Sequence, residues 1–273
     1  MVGFTKFALL ATAVAGLQLA GTSAQTISSQ CQSSLASLLT SSDATCLNAQ
    51  ALLGLATTTN NASVVPTLNT WLTGLCAKPA CSNQTLSAVV SNLTSGCSTE
   101  LSSLGLGSID ASELTALVET AYPTVRKVAC LADTKQNNEL CVTEFLTAVQ
   151  GTTGNLSIAN IEALGTNLVG GSSSLNLPSN VTCTDCVKAA YSIINTVFAG
   201  LVPSSVPSYF QSTCGSSFTD GSSPSDVTES ASAASSSTTV THNGVLPALR
   251  LSPAVGIAAS LLVTVSSALV VLA

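Results

Sequence analysis

The sequence predicts an all-α protein built from two disulfide-stapled helical repeats and followed by a disordered Ser/Thr-rich stalk. Apolar residues recur at steps of three and four along several segments, and strand signals are sparse. The ten cysteines fall into two groups of five. Charged residues make up only 7% of the chain, against about 25% in typical soluble domains. Serine, threonine, asparagine and attached sugar must therefore supply most of the polar surface.

The most regular helical pattern covers residues 183–201, where one side of the predicted helix collects the apolar bulk and two cysteines. Thr182 has the position of an N-cap, and Asp185 three residues later completes an approximate capping box. We expect this helix to be buried. Its predicted inward residues are Cys183, Cys186, Val187, Ala190, Tyr191, Ile194, Val197, Phe198 and Leu201.

The first predicted repeat covers residues 25–107. Its helices are expected at 28–39, 43–55, 64–76 and 84–97, because apolar residues in these segments follow the helical period. A linker rich in Gly, Ser and Leu, residues 101–108, marks the expected border with the second repeat. The last helix carries an apolar stripe that again ends on a cysteine, formed by Leu86, Val89, Val90, Leu93 and Cys97.

The second predicted repeat covers residues 108–215. Asp110 and Glu113 open a helix, and Pro123 is expected to kink or end it before a segment at 124–131. Further helices are predicted at 138–149, at 157–169 and at 183–201. A short helix after Ser205, with Pro207 in its first turn, returns Tyr209, Phe210 and Cys214 to the core.

The cysteine spacing indicates a duplication. The first group has 14, 29, 4 and 15 intervening residues, the second has 10, 41, 2 and 27, and the close pair occupies the same place in both orders. Because five is odd, at least one cysteine of each half must bond across the border or stay free, and we expect at least one bridge between repeats. The cysteines predicted to form disulfides are Cys31, Cys46, Cys76, Cys81, Cys97, Cys130, Cys141, Cys183, Cys186 and Cys214.

The two ends of the chain carry processing signals. Residues 1–24 have Lys6, an apolar run and a small-residue exit, which is typical of a secretory signal peptide. Residues 216–243 form the predicted O-glycosylated stalk. Residues 244–273 are predicted as a GPI-attachment propeptide with a hydrophobic tail, and Asn243 is the preferred attachment residue, with 235–237 as the fallback. A retained membrane helix is the competing interpretation, but no basic cytoplasmic flank follows it.

Five Asn-x-Ser/Thr sequons predict N-glycosylation in this secreted chain. We expect the protein outside the cell, at the cell surface and attached to the plasma membrane by GPI, with the cell wall as a further location. A net charge of −6 gives no basic patch for phosphates, so nucleic acid is not expected as a partner. The predicted acceptors are Asn61, Asn83, Asn92, Asn155 and Asn180.

Catalytic, metal-binding and cofactor-binding residues are not predicted. The single histidine, His242, lies in the stalk, where no packed structure can orient it for nucleophilic catalysis or zinc binding. The Cys183–Cys186 spacing matches a redox dithiol, but the strand and helix alternation of a thioredoxin-like fold is missing, so both are interpreted as structural. Available carboxylates are interpreted as helix-start or solvated charges; they are Asp110, Glu113, Glu119, Glu139 and Glu144.

The signal peptide, the CTDCVKAAYSII-type helix, the Ser/Thr stalk and the cleavable tail together resemble fungal secreted, GPI-anchored, cysteine-rich proteins of unknown function. That resemblance covers nearly the whole chain and implies a cell-wall or outer-membrane location without known catalysis.

A partial resemblance to elicitins lies in Cys76-Ala-Lys-Pro-Ala-Cys81 followed by fifteen residues to Cys97. Elicitins are small all-helical, disulfide-bonded sterol carriers. The resemblance implies that Cys31 pairs with Cys97 and Cys46 with Cys81, which leaves Cys76 for a later cysteine such as Cys130. The earlier spacings differ from the elicitin pattern.

The function expected from the sequence is therefore that of a non-enzymatic, GPI-anchored glycoprotein of the cell surface or cell wall with a disulfide-stabilised helical domain. An elicitin-like lipid or sterol carrier is the first alternative, because amphipathic helices poor in aromatic residues can line a lipid cavity. A glycan-binding adhesin that holds cell-wall polysaccharide is the second.

Overall fold

The computed structural model describes residues 28–59, 61–103, 107, 109–160, 177–198, 200, 202 and 204–232. Most of these residues are helical, which confirms the predicted fold class, and a small sheet is added to the helices. The chain divides into two compact units. Unit 1 comprises Met1–Thr120 and Asn155–Ser173, and unit 2 comprises Ala121–Gly154 and Ser174–Ala273. The predicted signal peptide and GPI propeptide lie outside the described residues.

Unit 1 is a set of short helices around buried aliphatic side chains. Val65, Leu72 and Leu75 on one helix and Leu86 and Val90 on another are buried in its core. The elements are α1 (Ser29–Thr40), two 3-10 segments (Ser42–Leu47 and Ala49–Leu52), α2 (Leu53–Thr57), α3 (Val65–Ala77), α4 (Asn83–Gly96), α5 (Ser98–Ser103) and the beginning of α6 (Ala111–Ala129).

Helices α1 and α4 start within one residue of the predicted positions, because a serine caps each of them. Ser28 Oγ accepts a hydrogen bond from the Cys31 amide at 3.2 Å, and Ser82 Oγ accepts one from the Thr85 amide at 3.2 Å. Each cap satisfies an amide that has no partner within the helix. Local sequence is therefore sufficient to define these two helix starts.

The predicted helix at 43–55 is wrong, because two 3-10 segments and the short helix α2 replace it. Asn48 adopts a left-handed backbone conformation with φ 52°, which interrupts any regular helix. Its side chain donates to the Trp71 carbonyl at 2.9 Å and accepts from Lys78 Nζ at 3.1 Å. Gly74 leaves room for it, since a Cβ there would lie 2.1 Å from Asn48 Nδ2. A tertiary contact with α3 decides this break.

Unit 2 packs the end of α6, a strand and two helices around one apolar core. Its central residues include Val128, Leu131, Ala190, Ile194 and Phe198. After α6 the elements are β1 (Leu131–Asp133), a 3-10 turn (Thr134–Gln136), β2 (Glu139–Leu140), α7 (Cys141–Thr153), α8 (Ser179–Thr182), α9 (Asp185–Phe198), α10 (Ser205–Cys214), a 3-10 segment (Ser216–Thr219) and β3 (Val227–Glu229).

The three strands form an antiparallel sheet in the order β2-β1-β3, which the sequence did not predict. The helix predicted from residue 138 begins only at Cys141, because Asn137 and Asn138 are both left-handed, with φ 53° and 60°. Two successive left-handed residues form a turn rather than a helix. Leu131, the last residue of the predicted segment at 124–131, lies in β1.

Helix α6 continues through Pro123, so this proline does not end the helix, and a kink at this position stays a prediction. Helix α9 confirms a buried apolar face, but its cap and one inward residue differ from the prediction. Thr184 Oγ1, rather than Thr182, accepts the Val187 amide at 3.3 Å, and Thr182 is itself fully buried in α8. Val197 is 42% exposed. Leu201 lies outside the described residues.

Candidate functional site

All ten predicted cysteines are oxidised, and the described part of the chain contains no free thiol. Such a density of disulfides indicates an extracellular or secreted protein, because cytosolic thiols stay reduced. Unit 1 contains Cys31–Cys97 and Cys46–Cys81, unit 2 contains Cys141–Cys186 and Cys183–Cys214, and Cys76 and Cys130 are also disulfide-bonded.

The two pairings that the elicitin resemblance implied for unit 1 are confirmed as disulfides. In unit 2, the two cysteines of the C-x-x-C motif belong to different bridges, since Cys183 bonds Cys214 and Cys186 bonds Cys141. A redox dithiol needs both thiols in one reversible pair. The structural interpretation of this motif is therefore confirmed.

The five predicted glycan acceptors all lie within the described residues. Four of them, Asn61, Asn83, Asn155 and Asn180, have exposed side chains. Asn92, on α4, is half-buried. Attachment of sugar to any of them stays a prediction. The predicted GPI attachment residue Asn243, the fallback at 235–237 and His242 lie outside the described residues.

Residues 215–232 form a folded segment, here called the C-terminal strap, that packs on the rest of unit 2. The sequence predicted that residues 216–243 belong to the disordered stalk; for the described part, up to residue 232, this is wrong. Phe218 is buried, stacks on Phe210 with ring centroids 4.8 Å apart, and approaches Tyr191 at 6.5 Å. One buried aromatic ring thus anchors a segment whose composition is otherwise polar.

Backbone pairing holds the second half of the strap. Strand β3 pairs with β1 in the register Leu131↔Glu229, Ala132↔Thr228 and Asp133↔Val227. Beyond the strand, both the amide and the hydroxyl of Ser230 donate to the Cys130 carbonyl, at 2.9 and 2.8 Å. At the other end, the Thr134 amide and hydroxyl donate to the Asp226 carbonyl, at 2.8 and 2.9 Å.

Every basic side chain described in unit 2 reaches the strap. Lys188 Nζ lies 3.2 Å from Asp220 Oδ1, Lys135 Nζ lies 2.6 Å from Asp226 Oδ2, and Lys127 Nζ lies 3.8 Å from Glu229 Oε2. The buried Arg126 donates from Nη1 to the Ser232 carbonyl at 3.4 Å. Exposed ion pairs are individually weak. Their placement nevertheless fixes the path of the strap.

These contacts shift the ionisation of the strap carboxyls. Hydrogen bonds from the Ser222 hydroxyl and amide, together with Lys188, lower the pKa of Asp220 to about 2. The hydrogen bond from Lys135 lowers the pKa of Asp226, and the same contact raises the pKa of Lys135. Hydrogen bonds and opposite charge both favour the charged forms. Asp220 and Asp226 therefore stay ionised in mildly acidic solution.

Glu144 shows the opposite behaviour. Burial raises its pKa, and the negative charges of Asp133, Glu139, Asp185 and Asp226 raise it further. Its Oε2 lies 3.3 Å from Sγ of Cys186. A disulfide sulfur carries no hydrogen, so this contact becomes a hydrogen bond only when the Glu144 carboxyl is protonated and donates.

The carboxylates considered as catalytic pairs are distributed as follows. Asp110, Glu113 and Glu139 are exposed, and Glu119 is half-buried on α6. Potential metal-ligating atoms form two separate sets, and within each set they lie within 4.8 Å of one another; the sets are Cys31, Cys97 and Glu100 in unit 1 and Asp133, Glu144 and Cys186 in unit 2. Their cysteines are disulfide-bonded, whereas metals bind the thiolate. These sets therefore offer only carboxylate oxygens.

Sequence reasoning missed the strap, although the residues contained a signal for it. Phe218 is an isolated aromatic residue inside a Ser-rich segment, and Asp220, Asp226 and Glu229 concentrate charge in a chain with only 13 acidic residues. The absence of apolar periodicity concealed it, because a strap needs one anchor and a few polar contacts rather than a repeating pattern.

Comparison with known protein families, curated proteins and solved structures gives no significant match. Within the described ranges, none of the helices combines the length and apolar character needed to cross a bilayer.

Proposed function

We propose that this chain is a non-enzymatic, GPI-anchored glycoprotein of the cell surface or cell wall, in which disulfide-bonded helical units form the exposed domain. Signal peptide, stalk and cleavable tail are sequence interpretations. The observation that carries the proposal is the complete oxidation of ten cysteines in a chain with 7% charged residues. Cross-links and sugar suit a protein that must persist outside the cell.

The C-terminal strap supports the anchored arrangement. A GPI anchor attached near Asn243 would leave about ten residues between the anchor and Ser232, the last described residue. Backbone hydrogen bonds and ion pairs hold the strap on the rest of unit 2. A force transmitted through the anchor would therefore act on a folded segment before it reaches the helices. This arrangement suits a domain that is attached to a surface through its C-terminus.

A lipid carrier receives no comparable support from the described residues. The groove that they form between α1 and α4 is lined mainly by amide and hydroxyl side chains, which offer a sterol or fatty acid little apolar contact. Carriers bury most of an apolar ligand in an apolar cavity. We therefore do not propose lipid transport for this groove.

Enzymatic release tests the anchor. The full chain is expressed in a eukaryotic host, and intact cells are treated with phosphatidylinositol-specific phospholipase C. We expect the protein to move into the medium and its C-terminal peptide to end at Asn243 with a glycan-ethanolamine adduct in mass spectrometry. A control chain that stops at residue 252 lacks the tail and is expected to be secreted without treatment.

Recovery of a peptide from residues 253–273 in the membrane fraction of the mature protein would instead demonstrate a retained membrane helix. Secretion of the full chain without any anchor would also contradict the proposal.

A further inference from the structure

An open groove runs between α1 and α4 in unit 1, with a volume of about 480 Å³. At one end of the groove α1 and α4 approach each other closely, because Gly96 has no side chain. A Cβ on Gly96 would lie only 1.7 Å from Ser34 Oγ. Gln30 Nε2 also spans the two helices and donates to the Ser95 carbonyl at 3.3 Å. The lining residues are Gln30, Ser34, Ala88, Ser91, Asn92, Ser95 and Gly96.

One lining residue is a predicted glycan acceptor. Asn92 begins the sequon Asn92-Leu93-Thr94, and its half-buried carboxamide makes no hydrogen bond to any described residue. Asn155 differs, because its exposed side chain donates to the Asn61 carbonyl. Among the five acceptors, Asn92 is the one that lines this groove.

We propose that Asn92 carries an N-linked glycan whose first sugars lie in the groove between α1 and α4, so that this glycan stabilises unit 1. The other four predicted glycans extend into solvent from exposed side chains. This inference depends on the proposed function only in requiring that the chain be N-glycosylated.

The chemistry of the groove suits a sugar attached at this point. The hydroxyls of Ser34 and Ser91 and the amide of Gln30 provide donors and acceptors for sugar hydroxyls, and Ala88 offers a small apolar contact. Covalent attachment removes most of the entropic cost that a free saccharide pays on binding. Modest contacts therefore suffice to hold an attached sugar in an open groove.

The experiment compares variants of the secreted, glycosylated full chain. Asn92→Gln and Thr94→Ala each remove the glycan in a different way, Asn83→Gln removes an exposed glycan from the same helix, and Thr94→Ser retains the sequon. We expect Asn92→Gln and Thr94→Ala both to lower the Tm by about 2–4 °C. We expect Asn83→Gln and Thr94→Ser to leave it unchanged.

A second measurement follows the sugars directly. The native protein is treated with an endoglycosidase, and peptide mass spectrometry follows the loss of sugar at each site. We expect the Asn92 glycan to be trimmed more slowly than the exposed glycans. Equal trimming rates together with equal Tm values would overturn the inference.

Site occupancy separates this inference from the proposed function. Sugar at other acceptors but not at Asn92 would overturn only the inference. Absence of sugar at all five acceptors would overturn the glycoprotein proposal as well. If the glycosylated wild-type chain binds soluble N-acetylglucosamine oligosaccharides and Ser91→Trp abolishes that binding, the groove is open to external saccharides and the inference fails.

Discussion

Unit 1 and unit 2 each contain five cysteines. When the cysteines of each unit are numbered along the chain, the disulfides of the two units do not all join the same numbers. Both units join the second cysteine to the fourth, as Cys46–Cys81 and Cys141–Cys186. Unit 1 then joins its first cysteine to its fifth, whereas unit 2 joins its third to its fifth. A shared order of cysteines therefore does not establish a shared structure, and the duplication stays a prediction.

The units also differ in how their ends are held. In unit 1, a disulfide with a sequence separation of 66 residues ties the first described helix to the end of α4. In unit 2, Cys141–Cys186 has a sequence separation of 45 residues, and the chain beyond Cys214 is held by the buried Phe218 ring, the pairing of β3 with β1 and ion pairs. A covalent bond thus joins the first and last cysteines of unit 1, whereas noncovalent contacts hold the C-terminal strap of unit 2.

Reduction of the disulfides is expected to have the largest effect, because each bridge contributes about 2–4 kcal/mol. Thermal melting with and without reductant measures the total effect, and an unchanged midpoint would contradict the view that the disulfides stabilise the fold.

Removal of Cys31–Cys97 by paired serine substitutions should lower the free energy of unfolding by about 0.7 kcal/mol more than removal of Cys183–Cys214. The reason is that the loop-closure entropy rises with sequence separation, here 66 against 31 residues. Equal costs would argue against this entropic difference.

The substitution Phe218→Ala is expected to release the strap. Phe218 is buried against Phe210, and truncation of a buried phenylalanine costs about 3–5 kcal/mol. Hydrogen exchange should increase in residues 216–230 and in β1, while α1 and α4 keep their protection. Phe218→Leu is the milder control. Increased exchange in unit 1 of equal size would show that the strap does not act on unit 2 alone.

The substitution Gly96→Ala tests the close approach of α1 and α4. The new Cβ would overlap Ser34 Oγ, and overpacking of this kind costs about 1–3 kcal/mol. Ser34→Gly in the same chain should restore part of the stability. Gly151→Ala on α7 is the control, because a Cβ there meets nothing within 4 Å and alanine favours the helix. Stability is measured by denaturant unfolding.

The substitution Glu144→Gln is expected to stabilise unit 2 at neutral pH. The pKa of Glu144 is raised by burial and by neighbouring acids, so its ionised form costs stability above the folded pKa. As the pH falls below the unfolded value of about 4.3, the carboxyl is protonated in both states and the advantage of glutamine disappears. Unfolding free energies of both proteins between pH 3 and pH 8 measure this, and a constant difference would contradict the explanation.

The substitution Asp220→Asn gives the smallest expected effect, with the opposite dependence on pH. The folded pKa of Asp220 is lowered to about 2, so its contribution is complete above the unfolded value of about 3.9 and is lost as the pH falls through about 2. NMR titration of the Asp220 carboxyl measures the folded pKa. A value close to that of a free aspartate would remove the argued contact with Ser222 and Lys188.

Local sequence predicted the parts of the fold that depend on neighbouring residues. Helices α1, α4 and α10 begin where a cap or an early proline favours them, and Phe210 is fully buried as the pattern predicted. The break at Asn48 and the β1 strand depend on residues distant in the chain. Apolar periodicity describes one face of one segment. It therefore contains no information about the residues of a distant segment that pack against that face.

The sequence by itself determined that this protein is helical, oxidised and poor in charge, because composition, cysteine number and helical period are properties of the chain alone. Only the tertiary structure decided how the cysteines of unit 2 pair and that residues 215–232 belong to the folded domain. Both depend on which distant groups come within bonding distance. Phe218 is an ordinary residue of a Ser-rich segment until Phe210 and Tyr191 provide the surface on which it packs.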